Sequence, residues 1–132
     1  MKTLENRYCK EILIIEDDDG IRESLKFALE LYGYEVSVAA NGKEGLERLK
    51  TISKPCLILL DLMMPIMNGW QFAEALQEDM ILAAIPIAVV TAFSERAKEV
   101  HAQAIVKKPV DVDALIKVVQ QYCGGSIKEQ AI

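Results

Sequence analysis

The sequence is poor in several residue types that specialised binding sites require. It has one histidine, three cysteines and an aromatic fraction of only 6%. Because Cys9, Cys56 and Cys123 form no CxxC pair, neither a disulfide framework nor a zinc site is expected. Lysine and arginine, 15 in all, are outnumbered by 20 aspartates and glutamates. Direct nucleic acid binding is therefore not expected, since it needs a clustered basic face.

The sequence also lacks a long uninterrupted hydrophobic run. Its longest apolar stretch, Met80 to Phe93, is broken by Pro86 and Thr91 and is shorter than the roughly 20 residues of a membrane span. Met1 to Lys10 carries charges where a signal peptide has its apolar centre. We therefore expect no membrane association and a location in the reducing cytoplasm.

What remains is the composition of one globular domain. The chain has 132 residues, of which 52% are hydrophobic and 27% charged, and one core of ordinary size accommodates this length. The domain is expected to cover residues 1–125, with residues 126–132 as a frayed C-terminal tail.

Short apolar runs alternate with segments of helical spacing along the chain. The predicted strands are Glu11–Glu16, Glu35–Ala39, Cys56–Leu60, Ile87–Val90 and Ala104–Lys107. Five helices follow them, of which the fourth begins near Glu95 with Ser94 as its cap and the fifth is capped by Asp111. This alternation predicts an α/β fold: a doubly wound, five-stranded parallel sheet with helices on both faces.

Reactive side chains follow the predicted strands. Glu16 and Asp17 follow the first strand, Asp61 the third, Thr91 the fourth and Lys108 the fifth. An acidic run after a strand is more often a solvated loop. However, the ligand crevice of such a sheet lies beyond the carboxyl ends of its strands. Two carboxylates about 4 Å apart there would repel by roughly 4 kcal/mol, so the group would need a cation or a proton.

These residue types suit phosphoryl transfer. Hard oxygen ligands favour Mg2+, which typically binds carboxylates together with phosphate oxygens. Asp61 would supply the nucleophilic oxygen, Lys108 would offset charge on the transferring group, and Thr91 would donate a hydrogen bond to it.

In their order and spacing, four segments resemble the receiver domain of response regulators in two-component signalling, including the stand-alone receivers of chemotaxis. The resemblance covers essentially the whole chain. The segments are Ile12–Asp18 (ILIIEDD), Leu59–Gly69 (LLDLMMPIMNG), Val90-Thr91-Ala92 and Lys108-Pro109.

The resemblance implies a role for each site residue. Asp61 is the phosphoacceptor, and the metal ligands are Glu16, Asp17, Asp61 and the backbone carbonyl of Met63. Thr91 and Lys108 contact the phosphoryl group. The family also implies Mg2+ as cofactor, strand order 2-1-3-4-5 and a cis peptide bond before Pro109. Its phosphate comes from a sensor histidine kinase or a histidine phosphotransfer protein.

The sequence departs from the family pattern at three places. Glu16 stands where aspartate is more usual. The switch position before Lys108, typically aromatic, is Ile105 or Val106. Thr91 and Lys108 are 17 positions apart (108 minus 91), which predicts a short or shifted fourth helix and a different partner preference at the output face.

Three functional classes follow. The first is a phosphorylation-controlled interaction module, monomeric or weakly dimeric, with a downstream protein partner. The second, an aspartyl phosphotransferase or phosphatase, is disfavoured because Met63 stands where the second carboxylate would be, so no enzyme acting on free substrates is expected. The third is a phosphorylation-independent scaffold. The chain is either a stand-alone receiver or a fragment of a larger regulator or hybrid kinase.

Four other residues have structural interpretations. His101 and Lys107 are expected at the surface, Trp70 is expected to pack at the rim of the site, and Cys56 is expected to act as a small hydrophobic residue.

Overall fold

The structure is a computed structural model that describes residues 9–124. The first eight residues and the predicted tail, residues 126–132, lie outside the described residues. None of the helices in the described part combines the length and the apolar composition of a membrane span.

The five strands of the described residues are β1 Glu11–Ile15, β2 Glu35–Ala39, β3 Leu57–Leu60, β4 Ile87–Thr91 and β5 Ala104–Lys107. They form one parallel sheet in the order β2-β1-β3-β4-β5, which confirms the predicted fold class and strand order. In the central pair, Ile12 of β1 lies opposite Leu57 of β3, and Ile15 lies opposite Leu60. Because both faces of the sheet are covered, the central strand β3 is a continuous apolar run, whereas the edge strand β2 also contains Glu35 and Ser37.

Each of the four α-helices between residues 9 and 124 begins at a side-chain cap that accepts a hydrogen bond from a free backbone N–H group of the first turn. The caps are Asp18, Asn41, Asn68 and Asp111, the last as predicted. The helices are α1 Asp19–Leu31, α2 Gly42–Leu49, α3 Gly69–Gln77 and α4 Val112–Tyr122.

The predicted fourth α-helix is instead a 3₁₀ helix, Ser94–Glu99. Phe93 is its N-cap residue and no side chain caps it by a hydrogen bond, so the predicted capping role of Ser94 is wrong. Six residues are too few for a stable α-helix, whereas 3₁₀ turns commonly serve as short connectors. A second 3₁₀ turn, Leu82–Ala84, precedes β4.

Successive residues of the strands face opposite sides of the sheet and fill two cores. Ile12 and Ile14 pack with α1 and α4, whereas Leu13 and Ile15 pack with α3 on the other side. The central strand β3 is buried throughout its length. This rigid centre fixes the positions of the residues that follow its strands.

Cys56 and Cys123 form a disulfide with a Cα–Cα distance of 5.5 Å. The expectation of no disulfide is therefore wrong, as is the interpretation of Cys56 as only a small hydrophobic residue. The pairing could not be seen in the sequence because 67 positions separate the two cysteines. They meet because the end of α4 packs beside the start of β3.

Candidate functional site

The predicted site residues converge at the carboxyl edge of the sheet. Glu16 follows β1, Asp61 follows β3, Thr91 ends β4 and Lys108 follows β5. Three of these four residues, Glu16, Asp61 and Thr91, are buried although they are polar. Burying such groups costs free energy unless partners satisfy them, so their arrangement points to a site with a function.

Lys108 lies between two carboxylates. Its Nζ is 2.8 Å from Oε1 of Glu16 and 3.5 Å from Oδ1 of Asp61. The lysine is positioned by the cis peptide bond to Pro109 and by a backbone hydrogen bond of 2.9 Å from its N–H to the carbonyl of Thr91. The predicted cis bond is confirmed. One ammonium group thus balances part of the charge of two carboxylates.

Hydrogen bonds hold both the side chain and the backbone of Glu16. Its Oε2 accepts a hydrogen bond of 3.1 Å from the N–H of Asp18, and its carbonyl oxygen accepts one of 2.9 Å from Nη1 of Arg22. The glutamate is therefore fixed in orientation, even though its side chain is longer than the more usual aspartate.

The electrostatics of the site act most strongly on Asp61. Burial, followed by the charge of Glu16, raises the pKa of Asp61 from its ordinary value of 3.8 to about 7, although Lys108 opposes the shift. Burial alone would lower the pKa of Lys108, but its contacts with Glu16 and Asp61 outweigh burial and raise it. The carboxylate charge in this cluster is only partly compensated by protein groups.

The three carboxylates form an acidic group that could hold a metal ion. One oxygen from each of Glu16, Asp17 and Asp61 lies within 4.8 Å of the other two. These hard carboxylate oxygens are of the ligand type that Mg2+ takes, and a bound ion would offset part of their negative charge. Asp17 is exposed and the other two are buried, which leaves an open side for water or a phosphate oxygen.

Thr91 is oriented toward the same cavity. Its Oγ1 accepts a hydrogen bond of 3.0 Å from the N–H of Phe93, so the hydroxyl hydrogen remains available to donate. Thr91 is only 1% exposed. Its donor is thus held beside Asp61 with little freedom.

The convergent side chains line a cavity of about 240 Å³. Sequence reasoning missed two of its lining residues, Ile21 and Phe93, and gave Met63 a role only through its carbonyl. The side chains of Met63 and Phe93 are about half exposed at the mouth of the cavity. In the sequence, the only indication that Met63 and Phe93 line the cavity is that they lie two residues after Asp61 and Thr91. The proposed use of the Met63 carbonyl as a ligand stays a prediction.

The start of α3 lies unusually close to the phosphoacceptor candidate. A Cβ atom on Gly69 would lie 2.5 Å from the backbone oxygen of Asp61 and 2.7 Å from Cα of Leu62. The Gly69 N–H donates to the carbonyl of Leu62 at 2.9 Å. Glycine is therefore required at residue 69 for this approach.

The remaining single residues lie as follows. Trp70 packs at the rim, where its Nε1 donates to the carbonyl of Arg96 at 3.3 Å and the guanidinium of Arg96 lies 4.6 Å from the ring centroid. His101 and Lys107 are exposed, as predicted. Of the two switch candidates, Ile105 is 45% exposed and Val106 is buried.

Comparisons with known proteins agree with this geometry. Residues 12–120 match the family model described as response regulator receiver domain. The chain is 32% identical to the polar-differentiation response regulator DivK of Brucella anthropi over 122 residues, covering 89% of this chain and 98% of DivK. It is 35% identical to the transcriptional regulatory protein CrdR of Helicobacter pylori, covering 86% of this chain but only 54% of CrdR. Among solved structures, the chemotaxis response regulator CheY4 of Vibrio cholerae superposes with a TM-score of 0.79 at 28% identity, covering 86% and 98% of the two chains.

Proposed function

The chain belongs to the response regulator receiver family, and on this premise we propose that it accepts a phosphoryl group on Asp61 in a Mg2+-dependent reaction. The observation that carries the proposal is the convergence of Glu16, Asp61 and Thr91, all buried, with Lys108 between the two carboxylates. A structural core would gain stability by replacing such a cluster with apolar residues, so its presence favours a chemical role.

In the proposed reaction, a carboxylate oxygen of Asp61 attacks the phosphorus of a phosphohistidine. A P–O bond forms, the P–N bond breaks, and the imidazole leaves with the electron pair and takes up a proton. The nucleophile must be ionised, and Lys108 favours the ionised form of Asp61. Lys108 and the Thr91 hydroxyl then contact the phosphoryl oxygens, where charge is spread during transfer.

Glu16, Asp17 and Asp61, together with the Met63 carbonyl, would hold Mg2+. When bound, the ion would neutralise charge on the carboxylates and on the transferring phosphoryl group. The hard oxygen donors and their mutual spacing support this choice of metal.

The partners in this proposal are those of the family. A sensor histidine kinase or a histidine phosphotransfer protein donates the phosphoryl group, and a downstream protein partner is bound according to phosphorylation. The protein acts in the cytoplasm as a monomer or weak homodimer, without direct contact to nucleic acid. We propose that it does not turn over a free substrate, because Met63 stands two positions after Asp61, where aspartyl phosphotransferases and phosphatases carry a second carboxylate.

Two observations favour a second candidate, a scaffold that binds partners without phosphorylation. The exposed Ile105 has no ring that could move between buried and exposed positions, and the Ser94–Glu99 segment is a single short 3₁₀ helix. If the usual coupling between Thr91 and this face is absent, phosphorylation of Asp61 would leave partner binding unchanged.

The two candidates differ in their response to a phosphoryl mimic. We would titrate the protein with beryllofluoride in the presence of Mg2+ and follow the fluorescence of Trp70, which lies at the rim of the site. The first candidate predicts a saturable change that requires Mg2+ and is absent in Asp61→Asn. Asp113→Asn, which removes an exposed carboxylate at the start of α4, is the matched control and should respond like the wild type.

A further inference from the structure

The three cysteines lie at the end of the sheet opposite the carboxylate site. Cys56 immediately precedes β3, and Asp61 immediately follows the same strand. The four residues of β3 therefore lie between them, and the five residue steps of extended chain span roughly 16 Å. Cys123 ends α4 and is bonded to Cys56, with the Cα–Cα distance of 5.5 Å that disulfides commonly have. A modification at this end is spatially distinct from phosphorylation.

Cys9 packs against the same cluster. Its carbonyl oxygen accepts a hydrogen bond of 2.9 Å from the N–H of Gly124, next to Cys123. The carbonyl of Glu11, two residues after Cys9, accepts a hydrogen bond of 2.9 Å from the N–H of Cys56. Cys9 is partly buried against the cluster that contains Cys56 and Cys123, and this burial raises the pKa of its thiol. All three cysteines of the chain are thus neighbours.

The three differ in access to solvent. Cys56 is 5% exposed and Cys123 is fully buried, whereas Cys9 has intermediate exposure. Exchange with an external thiol or disulfide needs direct contact between sulfur atoms. An external reagent would therefore meet Cys9 before either partner of the disulfide.

The surroundings of Cys56 also suit the reduced protein. Its sulfur lies 3.1 Å from the carbonyl oxygen of Glu11. A disulfide sulfur carries no hydrogen, so this contact becomes a hydrogen bond only when Cys56 is a thiol. The same site therefore accommodates both oxidation states with little rearrangement.

We propose that Cys9, Cys56 and Cys123 form a thiol–disulfide exchange site, in which Cys9 passes oxidation from a small disulfide such as oxidised glutathione to the buried Cys56–Cys123 pair. First, the Cys9 thiolate attacks the small disulfide and releases one small thiolate, which leaves a mixed disulfide on Cys9. Next, the Cys56 thiolate attacks the Cys9 sulfur of this mixed disulfide and releases the second small thiolate. Finally, the Cys123 thiolate attacks the Cys56 sulfur and regenerates the Cys9 thiolate.

Each step breaks one S–S bond and forms one, so the sum is oxidation of two protein thiols and reduction of one small disulfide to two small thiols. In reverse, the same steps would open the buried bond in a reducing environment. The inference does not depend on phosphorylation of Asp61.

The test is a time course with the full chain. Fully reduced protein is mixed with oxidised glutathione, free thiols are blocked with an alkylating reagent at intervals, and the pairing is read by peptide mass spectrometry. The wild type should end with Cys56 bonded to Cys123 and Cys9 free. In Cys9→Ser, which alters the most accessible of the three, formation of that bond should be about tenfold slower or more.

Two further measurements test whether a Cys9–Cys56 bond is an intermediate. In Cys123→Ser, oxidation should stop once a Cys9–Cys56 bond has formed. The same bond should appear transiently in the wild type, and this second measurement needs no substitution of a buried residue. Circular dichroism before oxidation verifies that each chain is folded. The inference is overturned if Cys9→Ser oxidises at the wild-type rate, or if the folded wild type accumulates glutathione on Cys9 without forming the Cys56–Cys123 bond.

Discussion

Replacing Asp61 by asparagine should stabilise the protein at alkaline pH in the absence of metal. The substitution keeps the shape of the side chain and removes a charge that burial and Glu16 both disfavour. Because the pKa of Asp61 rises from 3.8 to about 7 on folding, the folded protein holds more protons than the unfolded chain between these values. The contribution of Asp61 to stability is therefore present below its unfolded pKa and is lost as the pH rises through about 7.

The size of the effect follows from the same values. A rise from 3.8 to about 7 corresponds to an upper limit of about 4 kcal/mol at about 1.4 kcal/mol per tenfold change in proton affinity. Water entry and side-chain relaxation reduce this limit, so we expect the variant to gain about 2–4 kcal/mol in free energy of unfolding near pH 8. Near pH 4 the difference should be below about 1 kcal/mol, because this pH is close to the unfolded pKa of 3.8 and the folded and unfolded states then bind nearly the same number of protons.

Urea denaturation followed by circular dichroism measures these differences. Mg2+ at about 100 times its dissociation constant should restore about 2.7 kcal/mol to the wild type and much less to Asp61→Asn, which lacks one metal ligand. Asp113→Asn should give almost the same free energy of unfolding as the wild type at both pH values. A variant that is less stable than the wild type near pH 8, or a difference independent of pH, would refute the electrostatic account of the site.

Two further substitutions test the backbone around the site. Gly69→Ala should destabilise the protein by about 1–3 kcal/mol in urea denaturation, because its Cβ meets backbone atoms of Asp61 and Leu62. Gly20→Ala should cost clearly less, because its Cβ would meet only the end of the Asp18 side chain, at 3.3 Å, and equal effects would contradict the proposed close approach. Ile66 has a φ of 69° and is 77% exposed. Ile66→Gly should therefore raise the free energy of unfolding by up to about 1 kcal/mol, as a left-handed conformation costs a branched residue about 1–2 kcal/mol. Ile81→Gly, at an exposed position with a φ of −73°, should lower it by about 0.5–1 kcal/mol, and a loss in both variants would count against strain at residue 66.

The fold was predictable because short, mostly apolar runs alternate along the chain with segments of helical periodicity. This pattern also placed Asp61, Thr91 and Lys108 at one edge, since residues that follow parallel strands share the carboxyl edge of the sheet. The pattern does not determine the distances between the side chains of the site. That Lys108 lies closer to Glu16 than to Asp61 depends on side-chain orientation, which strand order alone does not determine.

The features that sequence reasoning missed depend on long-range packing or on short segments. The Cys56–Cys123 bond joins residues 67 positions apart, and no local sequence pattern indicates that the two are close in space. The segment Ser94–Glu99 has residues suited to a helix, but a stretch of six residues does not by itself determine whether an α-helix or a 3₁₀ helix forms. The half-exposed Phe93 lines the cavity together with residues that follow other strands, and this proximity depends on how the strands pack in the sheet.

The central claim, that Asp61 is the phosphoacceptor, is tested most directly by identifying the modified residue. The wild-type chain would be incubated with Mg2+ and a small phosphodonor such as acetyl phosphate, then treated with borohydride, which reduces an acyl phosphate to an alcohol. Peptide mass spectrometry would locate the product. The account predicts reduction at Asp61 only, dependent on Mg2+ and on the phosphodonor. Reduction at another carboxylate, or none in folded protein even with a phosphorylated histidine kinase as donor, would contradict it.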